Sequence, residues 1–447
     1  MKAFLKLTAG QEKANEGEIP VLVFNPHPFE VEEELEVEFL LQNQNWTDGE
    51  WTIATVYDEQ GNIVASQHEK TASSLNLDWV KKLCFRAKVV PSSVSRFNCK
   101  LQVVKQDDLP SYEYDKEAII VKNDRMTAVI SRKTGLIEKY EVDGKNRLLN
   151  AGKIEVYKDN EDPWGMLVNS FTDKIGEFTL MSDEAANEFA GYLGEGYKNV
   201  RVIEDGDVRT TVQAFFEYKR SVAVVEYTLP KKGTHIDVNI TLFSNEVNRM
   251  LKYNLSTAFG GQPIGETAFA TSEYKNNSDE NVFQKWCGFN NEKGGVYIIN
   301  RGTYGGSFTE KDIKISLLRT PVYSGHPIGE RDIVPHNRYC NHIDMGERSF
   351  SFRIITEGNI QAQAQLFNEA PRAISFFPSG DGEKTGSIVT LDNSEVIMSS
   401  FKKTADGYEV VLHNFADHDN EAELYIKPLN KKINLEFTKF ELKILKI

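Results

Sequence analysis

Apolar and polar positions in this chain alternate far more often than they recur at helical spacing. Within residues 31–39, Leu35, Val37 and Phe39 fall on one side and Glu36 and Glu38 on the other, the pattern of a strand with one buried and one wet face. Residues 236–242 repeat it, with Ile236, Val238, Ile240 and Leu242 set against Asp237, Asn239 and Thr241. Across 117–142, apolar runs are broken by Asn123-Asp124, Thr134-Gly135 and then Asp143-Gly144, which predicts a meander of hairpins. Residues 409–447 add three or four further alternating runs. One internal helix is expected over 182–189, where Ser182 or Asp183 can cap the start. A short N-terminal helix over 1–18, ending at Glu16-Gly17-Glu18, would be the tail of a larger helical element. The fold class expected from this pattern is all-β and antiparallel.

The chain has 447 residues, more than the roughly 250–300 that one core usually holds, so several β modules are expected. Polar residues 105–111 mark one boundary and the Pro/Gly-rich stretch 377–383 another. The division is then 1–18 helical tail, 19–106 small β domain, 107–376 large β domain and 377–447 C-terminal β module.

The net charge of -14 disfavours nonspecific binding to nucleic acid or to an anionic membrane. No apolar run approaches the ~20 residues of a membrane span, and the first residues carry too short an apolar core for a secretory signal. Cys84, Cys99, Cys287 and Cys340 form no close pair, which reads as free thiols in a reducing, cytoplasmic setting.

Four stretches invite a chemical reading. Asn25-Pro26-His27-Pro28-Phe29 is a strand ending in a stiff turn, with His27 a turn residue rather than a ligand. The loop 159–166 sets Asp162 beside Trp164; a ring face and a carboxylate suit a sugar, and a solvated acidic loop anchored by Trp164 is the alternative. Arg319 ends the apolar run 315–318 ahead of Thr320-Pro321, placed either to donate to a sugar or carboxylate or to make a structural ion pair. His326, His336, Cys340, His342 and Asp344 crowd together, but their loop spacing does not amount to a metal site. No nucleophile–base arrangement, phosphate loop or dinucleotide fingerprint stands out.

These places, taken in order, resemble the C-terminal half of family 38 glycoside hydrolases, the α-mannosidases. The matching motifs are Val23-Phe24-Asn25-Pro26; Asn123 through Gly135-Leu136-Ile137; Leu148-Leu149-Asn150; and Trp286 with Gly294-Gly295-Val296-Tyr297 and Tyr304-Gly305. Leu317-Leu318-Arg319-Thr320-Pro321, Asp344 with Gly346 and Phe350, and Phe367-Asn368-Glu369-Ala370-Pro371 follow. The resemblance implies a large antiparallel supersandwich of the galactose mutarotase type, flanked by smaller β modules. It implies retaining, zinc-dependent hydrolysis of α-mannosidic bonds in the whole enzyme. Zinc and nucleophile would sit in an N-terminal barrel that these residues do not match, so no catalytic or metal residue is assigned here and these residues alone are expected to be inactive. Arg319 matches the arginine expected to reach the sugar, with Trp164 and Asp162 as weaker matches. The partners implied are mannosides or mannose-containing oligosaccharides and the catalytic barrel; an uncovered barrel-facing surface would favour a homo-oligomer. A freestanding carbohydrate-binding or scaffold protein of the same fold is the alternative, and an epimerase, borrowed from the mutarotase-like fold, a more distant third.

Overall fold

The computed structural model describes residues 8, 10–72, 77–105, 117–159, 168–191, 197–292, 294–322, 339–380 and 386–447. Strands dominate, and their pairings are antiparallel. The chain forms two compact units, one of Met1–Tyr112, Glu204–Arg209 and Gln361–Ile447, the other of Glu113–Ile203 and Thr210–Ile360.

In the first unit, strands Arg372–Ser375, Glu18–Asn25, Ser93–Lys105 and Glu50–Tyr57 form one sheet in that order, and Val31–Asn45, Asp78–Val89 and Ser66–Glu69 form another. Val21, Val23, Val56 and Phe97 of the first sheet share a core with Leu35, Val37, Phe39, Leu83 and Phe85 of the second. Glu36 and Glu38 lie on the exposed side, as the alternation predicts. The Asn25–Phe29 turn is held from within: Asn25 accepts from the His27 amide at 3.0 Å and donates to the Phe29 carbonyl at 2.9 Å. A separate core of Val389, Leu391, Val410, Leu412, Leu424 and Ile426 joins two three-stranded sheets. Four of their strands, Tyr408–Asn414, Asn420–Ile426, Lys431–Phe437 and Leu442–Lys446, are the alternating runs of the C-terminal stretch.

Two helix expectations need correction. Residues 1–7 and 9 of the proposed N-terminal helix lie outside the described residues, but residues 11–17 are turn, bend and irregular backbone and Glu18 opens a strand. A second internal helix exists, Ile360–Asn368. Its Gln-Ala-Gln-Ala run imitates strand alternation, yet the buried residues are Gln361, Ala364, Gln365 and Phe367, the first three at helical spacing.

In the second unit, Ala118–Lys122, Met126–Ser131, Ile137–Val142 and Lys145–Ala151 pair in chain order as the expected meander. Asp143 (φ 50°) and Gly144 (φ 72°) both take left-handed backbone, the turn that suits a tight hairpin. Ser182 caps the helix Asp183–Phe189, accepting from the Ala185 amide at 3.2 Å, while Asp183 instead holds Lys198. The unit also contains a ten-stranded sheet and a six-stranded sheet. The six-stranded sheet runs Lys174–Glu177, Lys153–Lys158, Arg249–Ser256, Asp312–Arg319, Gly305–Phe308, Asn281–Val282. One core collects Tyr140 of the meander, Val225, Val238 and Phe352 of the ten-stranded sheet, and Ile154, Tyr253 and Ile315 of the six-stranded sheet. No helix among the described residues is long and apolar enough to cross a membrane.

Candidate functional site

The central strands of the six-stranded sheet are largely buried on both faces, but with opposite chemistry. Ile154, Val156, Leu251, Tyr253, Leu255, Ile313, Ile315 and Leu317 point into the apolar core. The intervening positions of the same strands carry Glu155 and Tyr157, Met250, Lys252 and Asn254, and Lys314 and Ser316. Register puts Glu155 opposite Lys252, Lys252 opposite Ser316, and Asn254 opposite Lys314, so these side chains share one face.

A polar group out of water must find partners or cost several kcal/mol, and here most do. Glu155 accepts from Tyr157 at 2.6 Å, Lys174 at 2.8 Å, Lys314 at 3.1 Å and Asn254 at 3.2 Å. Lys252, fully buried, reaches Glu280 and the Ser307 hydroxyl (2.7 Å), and Ser316 donates to the other Glu280 oxygen at 2.6 Å. The carbonyl oxygen of the Asn254 side chain is buried without a partner among the described residues.

This network fixes protonation states. Burial alone would raise the Glu155 carboxyl, but the hydrogen bonds from Lys174 and Tyr157 and the charge of Lys314 outweigh it and hold the group at about 2. Burial pulls the Lys252 ammonium below its usual range, an effect the Glu280 charge opposes. A carboxylate held at about 2 has no proton to give a leaving group at neutral pH. Glu155 therefore supplies fixed charge rather than acid catalysis.

Arg319 lies on this face, opposite Met250. Its guanidinium grips Asp159 in a bidentate pair, Nε to Oδ2 at 2.7 Å and Nη2 to Oδ1 at 2.9 Å, and lies 4.9 Å from the centre of the Phe171 ring. The Asp159 side chain is fully buried and that of Arg319 is 19% exposed. Of the two roles open to Arg319 from sequence, the described residues show the ion pair, with the cation at the rim. Asp162 and Trp164 lie outside the described residues, a few positions beyond Asp159 in the chain. The sequence reading missed Asp159 as Arg319's partner, although the acidic loop 159–166 contains it, and missed the Glu155–Lys252–Glu280 network altogether.

The other candidates are structural. His27 meets the Glu369 carbonyl at 2.8 Å and stacks on Phe29 at 5.1 Å, and burial lowers its pKa. Trp286 is buried edge-on to Tyr297. Gly295 is required there, because a Cβ would run into the Tyr297 ring. His326 and His336 lie outside the described residues, and Asp344 faces Arg348 at 3.7 Å. Among the described residues no group of three or more His, Cys, Asp or Glu can hold a metal ion, so they do not fit a zinc site.

Residues 121–329 match the family described as "Glycosyl hydrolases family 38 C-terminal domain". Among solved structures, one described as a protein in glycosyl hydrolase family 38 from Enterococcus faecalis superposes with a TM-score of 0.73 at 13% identity over 99% of this chain. An alpha-mannosidase from Enterococcus faecalis V583 does so at 0.70 and 12% over 99%. The chain spans 60% and 57% of the length of those two proteins. No curated protein matches it. At these identities the solved structures speak for the fold, and the family profile covers the meander and the six-stranded sheet through Arg319. Residues 121–329 of this chain thus resemble the C-terminal domain of family 38 glycosyl hydrolases.

Proposed function

We propose that this chain is the C-terminal β region of a family 38 α-mannosidase and works with a zinc-bearing catalytic barrel outside these residues. In this reading residues 107–376 form a supersandwich of the galactose mutarotase type, residues 19–106 and 377–447 flank it, and the substrate is a mannoside or mannose-containing oligosaccharide. Arg319 reaches the sugar from the rim of the buried face, with Asp162 and Trp164 beside it. The observation that carries this is the bidentate Arg319–Asp159 pair within the family 38 domain. A guanidinium locked by a buried carboxylate keeps its position, which is what a group that orients a sugar requires.

The chemistry belongs to the barrel. These residues position and exclude water; they neither attack the anomeric carbon nor bind zinc. The test is turnover of an aryl α-mannoside with zinc, by the 447 residues alone and with a family 38 barrel added. Turnover only with the barrel, reduced by Arg319→Lys chiefly through KM, supports the proposal. Failure of the barrel to associate or to give turnover under any condition removes it. Scattering on the isolated chain would show whether an uncovered barrel-facing surface drives it into a homo-oligomer.

A further inference from the structure

A second feature of the same unit has no part in the Arg319 assignment. Between the hairpin turn at Arg220, the connection from strand Ile236–Ser244 to strand Arg249–Ser256 and the segment that leads into strand Gly346–Ile355 lies a cavity of about 720 Å³. Its lining is Arg220, Asn245, Val247, Tyr339, Asn341, His342 and Met345. That is within the 300–1,000 Å³ typical of small-ligand pockets.

The polar members are held by the backbone. Ser221 Oγ accepts from the Asn245 amide at 2.8 Å, and the Asn245 side-chain nitrogen donates to the Arg220 carbonyl at 3.0 Å. This leaves the Asn245 Oδ1 to accept from a ligand. Arg220 donates through Nη2 to the Asn245 carbonyl at 3.1 Å, and its Nε lies 3.5 Å from Glu246, a carboxylate only 9% exposed. The cation is therefore balanced where it stands, and the pocket gains a directional donor without a large net charge. On the other wall, a bridge between Val322 and His342 and a hydrogen bond from the Ile343 amide to the Pro321 carbonyl (3.1 Å) fix the segment that carries Asn341 and His342. Tyr339 is 88% exposed, which gives a large ring no stability in the isolated chain and leaves its face open. Val247 and Met345 add apolar surface.

From this lining we infer that the cavity is a sugar subsite that takes one uncharged hexose unit of an oligosaccharide. The Tyr339 ring stacks on the sugar C–H face. Asn245, Asn341 and His342 exchange hydrogen bonds with its hydroxyls, and Arg220 donates. A phosphate or carboxylate ligand fits less well, since Glu246 already offsets Arg220, the only guanidinium among the described lining residues. The inference does not depend on the proposed pairing with a barrel, because every residue it uses lies in one unit.

The test titrates the chain with methyl α-mannoside and with a linear mannotriose by ligand-observed NMR, at low and high salt. Each titration is repeated with Tyr339→Ala, Asn245→Leu and Arg319→Lys. Saturable, salt-insensitive binding that Tyr339→Ala weakens about tenfold supports the subsite. Asn245→Leu should weaken it several-fold. Tyr339 is exposed, so its loss should leave the melting temperature unchanged, which separates binding from folding. Binding that survives Tyr339→Ala but is lost with Arg319→Lys would overturn the subsite while sparing the Arg319 proposal. Absence of saturable binding by either sugar, or binding that collapses with salt, would also overturn it.

Discussion

Two sheets of this molecule carry charge on one face, and the charge has different meanings in each. On strand Val31–Asn45 of the first unit, Glu32 and Glu34 face Arg86 at 2.8 and 3.7 Å, and Glu36 faces Lys82 at 3.1 Å. Glu32 and Glu36 are roughly half exposed, so solvent already stabilises those carboxylates and their pairs with Arg86 and Lys82 add little, while Glu34 is the buried member of the row. On the six-stranded sheet of the second unit, Glu155 and Lys252 have side chains 5% and 1% exposed. Every charge there needs its partner, because water is no longer the alternative. An exposed ladder needs no further explanation. A buried one at the rim of which an arginine is clamped marks a surface built to hold fixed groups in fixed positions.

The contrast is sharpest in what happens when one partner is removed. Glu155→Ala leaves Lys174, Lys314, Tyr157 and Asn254 without their common acceptor, and Lys252→Met strands Glu280. Each should cost about 3–5 kcal/mol in urea or thermal unfolding. Arg319→Ala, which takes two charge-assisted hydrogen bonds from the buried Asp159, belongs in the same range, and Arg319→Lys should cost about 1–2 kcal/mol because one of two parallel hydrogen bonds is lost. Glu32→Gln on the exposed ladder should cost under about 1 kcal/mol. A Glu155 loss as small as the Glu32 loss would break the comparison.

Acid separates the units in a second way. Glu155 is held at about 2, below the value near 4.5 of an unperturbed glutamate, so its contribution is present above pH 4.5 and lost as pH falls toward 2. His68 of the first unit, its neutral ring accepting from the Ala54 amide at 2.8 Å, is pulled down to about 4 by burial and by Lys81. Its contribution is present above pH 6.5 and lost between 6.5 and 4, so His68→Gln should flatten the profile in that window alone. A third group has the opposite sign. Burial raises Glu204 to about 7, so its ionisation destabilises the folded state as pH rises from 4.5 through 7. Glu204→Gln should therefore raise stability at pH 8 and leave it unchanged at pH 4, which a pair of denaturation curves can check.

How much of this was legible in the sequence follows from what is local. Period-two alternation at Leu35–Phe39 and Ile236–Leu242, and the Asp143-Gly144 turn, are properties of neighbouring residues and were readable. Ser182 and Asp183 were equal candidates as caps until Lys198 claimed Asp183. The helix Ile360–Asn368 was hidden because glutamine and alanine alternate in sequence while burial follows the helical period. The buried polar face could not be read, since Glu155 and Lys252 occupy outward positions that normally meet water, and only the tertiary structure covers them. Arg319 was found through the family motif, but its partner Asp159 lies 160 positions away and needed the fold.

The most direct single measurement is hydrolysis of an aryl α-mannoside with added zinc, by the chain alone and again with a family 38 catalytic barrel. No turnover alone and turnover with the barrel, diminished by Arg319→Lys, is the result expected of a β region that positions substrate for chemistry done elsewhere. Zinc-dependent turnover by these 447 residues alone would contradict that account.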